Sequence, residues 1–284
     1  MQNRLLPANA EDMLDTGADL DPDLVRIHRG LAPPALVAEL VATLGEMIAV
    51  QLGEHPAIEP DLDALVDRLR ARDRARLGAV YDAFRETLAF RRFVTDPALT
   101  QAAAKMTGAR RLHSPFQHAV FRMDLVGEAW RGFGWHQDFP YNVMSGSYVT
   151  AWAPLTPSGA HNGSIDIAPA VSNRIHPVEI RYKRDADGRR LPTRDAFISE
   201  RRQAGFEAHA VKLELEPGDV VLFHNRLVHR SGFNPGPRHR YSIQVRFGDL
   251  LAREVTTRGW GNRRADGFET FKALHPDLIE HEEA

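Results

Sequence analysis

EPGDVVLFHNRLVHRSGFNPGPRHRYSIQVRF, residues 216–247, is the stretch on which the fold turns. A Pro217-Gly218-Asp219 turn launches the apolar run Val220 to Phe223, and the chain then delivers His229 shortly before a second turn, Asn234-Pro-Gly-Pro237. A return strand follows. With the two-residue period of a strand, Arg240, Ser242, Gln244 and Arg246 share one face, and Tyr241, Ile243, Val245 and Phe247 share the other. A buried polar row is costly unless it finds partners, and a polar cavity supplies them.

The same texture extends upstream. From residue 110, short β-branched and aromatic runs recur between turn signals, among them HAVFRMDL, SYVTAWAPL and SIDIAPA, the pattern of a sandwich or barrel. Before it, 34–53, roughly 60–92 and 97–107 carry apolar residues at helical spacing, and the last of these starts after Asp96-Pro97 and stops at Gly108. Residues 1–109 therefore read as mainly helical support and 110–250 as a β core, in one domain spanning 1–284. The polar segment 176–208 interrupts the strand rhythm and is too long for an ordinary hairpin loop, so it reads as a lid-like insertion over the site. Between Arg181 and Gln203 it holds eight basic and four acidic residues in a chain whose net charge is −2, which suits either an anionic substrate or a solvated charge run. Residues 261–284 show little periodicity and read as a loose tail.

Composition removes several classes of function. A balanced 36 basic and 38 acidic residues give no field for nucleic acid. The absence of cysteine excludes disulfides, thiolate metal sites, Fe–S clusters and a Cys nucleophile, and suits a reducing cytoplasm. No run of 18 apolar residues suggests a membrane span, and the start of the chain lacks the features of a secretory signal. Only four lysines, Lys105, Lys183, Lys212 and Lys272, stand among the basic residues, a bias consistent with a bacterial genome.

Chemistry enters at Trp135-His136-Gln137-Asp138, where a strand would put His136 and Asp138 on one face, about 6.6 Å apart at Cα. With 13 His among 284 residues, about one His-x-Asp arises by chance, and His275-Pro276-Asp277 in the tail is assigned to chance. Followed by His229 after a gap of 91 residues from Asp138, and by Arg240 eleven further on, the first resembles the phytanoyl-CoA dioxygenase family of Fe(II)/2-oxoglutarate oxygenases. The resemblance covers roughly 110–250. It implies an α+β, mainly β fold: a double-stranded β-helix of jelly-roll or cupin-like form, with the N-terminal helices packed on it.

It also implies roles. His136, Asp138 and His229 would hold iron, leaving three coordination positions for 2-oxoglutarate and O2. Arg240 would bind the distal carboxylate of 2-oxoglutarate with help from Ser231, Trp152 would wall the site, and Gln117 would reach cofactor or substrate from an upstream strand. The expected activity is hydroxylation or a related oxidation of a polar small molecule, with release of succinate and CO2. Family halogenases lack the carboxylate that Asp138 supplies. Two departures, Pro169-Ala-Val-Ser-Asn173 after the central strand and the 176–208 insertion, leave the substrate open. A cupin-like metalloenzyme that does not use 2-oxoglutarate and a non-catalytic ligand-binding barrel are the competing classes. Arg240 with Ser231 argues against the first, and the intact His-Asp-His set against the second. His118, His161, His176, His209, His224 and His239 read as surface or structural histidines, and Arg246 as an ion-pair residue more than a substrate contact.

Overall fold

Strand β1 (Val25–His28) leads into helices α1 (Pro34–Leu52), α2 (Leu62–Arg72), α3 (Arg74–Phe84), α4 (Leu88–Val94) and α5 (Pro97–Thr107). The structure, a computed structural model, describes residues 21–57, 60–128, 132–141, 148–185, 187–260 and 267–283. The polar leader before residue 21, residues 261–266 of the expected tail and the side chain of Gln117 lie outside the described residues.

The helix expected over 60–92 is three helices, because short polar side chains start new ones inside an unbroken apolar period. Asp73 accepts from the Arg76 amide to open α3, and Thr87 accepts from the Phe90 amide to open α4. Such caps satisfy the backbone of the next helix in competition with continuing the last. Helix α5 has the bounds read from its sequence, with Asp96 capping and Gly108 left-handed at φ 62°. Against the expectation of no membrane-length segment, α1 is long and apolar enough to cross a membrane by length and composition. Its Leu40, Leu44 and Ile48 are buried against the neighbouring helices and the sheet.

The remaining strands are β2 (Leu112–His113), β3 (Val120–Asp124), β4 (Val149–Pro154), β5 (Ile165–Ile167), β6 (Val178–Arg184), β7 (Arg190–Phe197), β8 (Val211–Lys212), β9 (Val220–His224), β10 (His229–Ser231), β11 (Arg240–Asp249) and β12 (Ile279–Glu282). Helices α6 (Glu200–Glu207), α7 (Arg253–Thr256) and α8 (Gly267–Leu274) lie among them. The larger sheet runs β1-β9-β4-β11-β2, with β3 also on β11, and a second sheet runs β10-β5-β8, all antiparallel.

Period-2 alternation divides the larger sheet into two faces. Tyr241, Ile243, Val245 and Phe247 of β11 and Val220 and Leu222 of β9 pack on the helices, where the Phe84 and Phe121 rings meet at 4.4 Å. Val221 and Phe223 of β9 with Trp152 of β4 turn the other way, onto Ile165, Ile167, Leu213 and Leu227. The face expected to be apolar and outward is thus covered by helix, and the polar face of β11 looks between the sheets.

Residues 176–208 are not a structureless polar loop. β6 and β7 pair antiparallel, α6 follows, and Val178, Ile180, Ala196, Ile198 and Phe206 build an apolar cluster with Trp135, Phe268 and Phe271. The described part of the expected loose tail completes this unit: α8 supplies Phe268 and Phe271, and β12 pairs parallel with β6. Its glutamates meet the arginines of the insertion, Arg184 with Glu283, Arg194 with Glu269 and Glu282, and Arg202 with Glu280. Much of the insertion's positive excess is therefore neutralised locally, which weakens the case for long-range steering of an anion by the segment as a whole. Phe271→Ala should destabilise the protein by about 3–5 kcal/mol in denaturant titration, because it empties a fully buried aromatic site. A loose tail would lose nothing.

Candidate active site

The two sheets meet at a pair of histidines. His136 lies outside any named strand, in an isolated bridge to His229 at the head of β10, where each amide donates to the other's carbonyl at 2.9 Å. Asp138 falls just before a 3-10 turn at Phe139–Tyr141, so the strand expected over His136 and Asp138 is replaced by one bridge and a turn. The convergence of side chains survives that difference. Ligand atoms of His136, Asp138 and His229 lie within 4.8 Å of one another, and Asp138 Oδ1 is 3.8 Å from His136 Nε2 and 3.9 Å from His229 Nε2.

Backbone carbonyls set the tautomers. His136 Nδ1 donates to the Gly134 carbonyl at 2.8 Å and His229 Nδ1 to the Leu227 carbonyl at 2.9 Å, since a carbonyl only accepts. Both Nε2 lone pairs therefore face Asp138, the arrangement in which imidazoles bind metal. Burial pushes both imidazoles down, His229 adding to the effect at His136, which keeps them neutral. Burial alone would raise the Asp138 carboxyl, but Arg246, His229, His136 and the Thr150 hydroxyl together hold it well below the usual range. Thr150 donates to Asp138 Oδ2, and Arg246 Nη2 approaches the same oxygen at 3.4 Å, so Oδ1 is the oxygen left toward the histidines. Ser172, within the departure at 169–173, accepts from the Val228 amide at 2.8 Å and so anchors the entry to β10.

These groups line a cavity of about 290 Å³ that also holds Arg240, Ser231, Trp152, Gln244 and Arg246. Arg240 is 2% exposed. Its Nη2 meets Asp124 Oδ2 at 2.9 Å, while its Nε and Nη1 are buried without a partner among the described residues. Burial alone would raise Asp124, and Arg122 and Arg240 on either side of it bring it well below the carboxylate range. Of the face predicted from β11, Ser242 is fully buried but does not line the cavity. Gln117 sits in a 3-10 turn, Phe116–His118, instead of the expected strand.

Several lining residues escaped the sequence reading. His118, taken as surface or structural, is one, and Arg122, Phe133 and Tyr141 are others. The alternation of β3 toward a polar face was the available signal for Arg122. Thr150 could have been found as the residue two before Trp152 on the same face of β4. His224 is held by Arg226 and is absent from the lining, and His239 is taken up by Asp67 and the Val126 amide.

Two neutral imidazoles and one carboxylate converge in a cavity that also holds a buried arginine, between two antiparallel sheets, and form a group that could hold a metal ion. The chain matches the family described as phytanoyl-CoA dioxygenase (PhyH) over residues 25–242 and belongs to it. It is accordingly an iron- and 2-oxoglutarate-dependent oxygenase. No curated protein matches the chain by sequence. Among solved structures it is similar to EctD from S. alaskensis in its apoform, at 17% identity over 88% of this chain and 81% of that one, with a TM-score of 0.53. The EctD complex with 2-oxoglutarate and 5-hydroxyectoine gives 17% identity over 87% and 79%, with a TM-score of 0.52. The epimerase SnoN from nogalamycin biosynthesis, in complex with Fe3+, alpha ketoglutarate and nogalamycin RO, gives 18% over 80% and 79%, with a TM-score of 0.51. At these identities the likeness speaks for the fold alone.

Proposed function

We propose that the chain hydroxylates a polar small molecule, with His136, Asp138 and His229 holding Fe(II) and Arg240 gripping the distal carboxylate of 2-oxoglutarate. The observation that carries this reading is the pair of buried, unpartnered guanidinium nitrogens of Arg240 in the same cavity as the three converging ligand atoms. A buried donor without an acceptor is costly, and a carboxylate that accepts from Nη1 lowers that cost. Asp124 holds the guanidinium through Nη2, and Arg240 lines the cavity. Ser231 adds a hydroxyl beside it, Trp152 walls the site, and Gln117 completes the set on the strength of family resemblance. Bound there, iron and 2-oxoglutarate together would supply O2 activation with release of succinate and CO2. The chain's own part is to keep both imidazoles neutral, aim one carboxylate oxygen at them through Thr150 and Arg246, and exclude water with Phe223 and Ile165.

The strand order also supports a double-stranded β-helix: β3-β11-β4-β9 in one sheet, and β10-β5-β8 in the other, extended by the His136 bridge. The helices of 34–107 share one apolar core with the larger sheet, which supports reading 1–284 as one oxygenase domain. Anaerobic addition of 2-oxoglutarate to the Fe(II)-loaded protein should produce a weak visible charge-transfer band. Admission of O2 should then yield succinate. Iron binding without any such band would favour a cupin-like metalloenzyme that uses no 2-oxoglutarate.

A further inference from the structure

We propose that Lys183, set by the β6–β7 hairpin against the Phe133 ring of the cavity wall, binds an acidic group of the substrate, a carboxylate or a phosphate. The proposal rests on the oxygenase reading and narrows its substrate class. Lys183 Nζ stands 3.4 Å from the centroid of the Phe133 ring, and that ring lines the cavity and packs on the His136 imidazole at 4.8 Å. The Arg122 guanidinium lies 5.7 Å from the same ring centroid, so two cations flank one aromatic ring beside the metal ligands. An aromatic face attracts an ammonium while leaving its other hydrogens for an acceptor.

The hairpin is built irregularly at this point. Pairing of β6 with β7 shifts register between Tyr182 and Arg184, so that Lys183 on β6 faces three residues, Leu191, Pro192 and Thr193, on β7. Such irregularities re-aim side chains, often beside active sites. The side chain keeps 31% of its surface exposed, which leaves it reachable by a ligand. Its carboxylate neighbour, Asp195, is 3.6 Å away, and burial pushes that carboxyl up to about 7, making it a weak counter-charge near neutrality. Arg184, Arg194 and Arg202 of the same insertion meet glutamates of the C-terminal segment.

Charge in the cavity points the same way. Among the described residues, Arg122, Arg240 and Arg246 stand against Asp124 and Asp138, a surplus of one positive charge, and Arg230 is committed to Asp166 and Glu207. Iron(II) and doubly ionised 2-oxoglutarate cancel each other, so the loaded cavity keeps its surplus and Lys183 adds to it. An anionic substrate meets that surplus, and a cationic one would be repelled.

The test uses the whole protein loaded with Zn(II) and 2-oxoglutarate, titrated calorimetrically with benzoate, phenyl phosphate and neutral benzamide. At least one of the two acids should bind about tenfold or more tighter than benzamide, as one charge-assisted contact allows. The tighter acid distinguishes carboxylate from phosphate. Lys183→Gln should cut the preference by about fivefold or more while keeping benzamide binding, 2-oxoglutarate binding and melting temperature, and Lys183→Arg should retain it. Equal affinity of the wild type for all three probes, failure to bind either acid, or a preference that Lys183→Gln leaves undiminished would overturn the proposal. Failure of the wild type to bind 2-oxoglutarate would instead remove the oxygenase reading, and this proposal with it.

Discussion

His229→Ala protein is expected to fold, to lose iron on dialysis and to form no succinate. The main-chain bridge between residues 136 and 229 does not depend on the imidazole, so the scaffold should keep its shape by circular dichroism. What disappears is one of three donors, and the remaining His136 and Asp138 cannot restrict an ion to one face. Since loss of groups that merely orient ligands costs about 10–100-fold in metal affinity, loss of a ligand itself should exceed that range. His136→Ala and Asp138→Ala should behave alike, with a further cost for Asp138 because Arg246 then loses its counter-charge. Full iron occupancy in the His229→Ala protein by metal analysis would remove the assignment of this triad.

Arg240→Ala should weaken 2-oxoglutarate binding about 30-fold to 800-fold, the equivalent of ~2–4 kcal/mol of paired charge, with iron affinity little changed. The split between the two affinities is what tests the role. Arg240 is distant in function from the imidazoles and reaches them only through the shared cavity, so a general collapse would lower both. Arg240→Lys should recover part of the loss only, because an ammonium lacks the planar fork that meets a carboxylate at two points. Unchanged 2-oxoglutarate binding by calorimetry in the Ala variant would leave the buried guanidinium as an ion-pair partner of Asp124.

The central site was legible because strands repeat every two residues and turns announce themselves. Arg240 and Gln244 could be placed on one face from residues 216–247 alone, and Trp152, assigned to the wall by resemblance, lines the same cavity. The helix breaks at Asp73 and Thr87 were hidden because apolar spacing runs across them, and a cap reveals itself only when the backbone has already turned. His118, Phe133 and Tyr141 were hidden for another reason: they come from turns and loops, whose direction depends on packing of distant segments. Least legible was β12, four residues long, whose partner lies about a hundred residues earlier; so short a strand carries no periodicity to read.

That last pairing bears on how the chain assembles during synthesis. The β6–β7 hairpin emerges about a hundred residues ahead of the strand that pairs along β6 and of the phenylalanines of α8 that fill its apolar side. Until those residues arrive, Val178, Ile180 and Phe206 have only part of their cover, whereas the last strand of the two sheets around His136 and His229 ends at Asp249, ahead of α8. The hairpin that sets Lys183 over Phe133 is thus translated before His229 and Arg240, but the segments that finish its packing come after both, so it is the last part of the molecule to gain its full support.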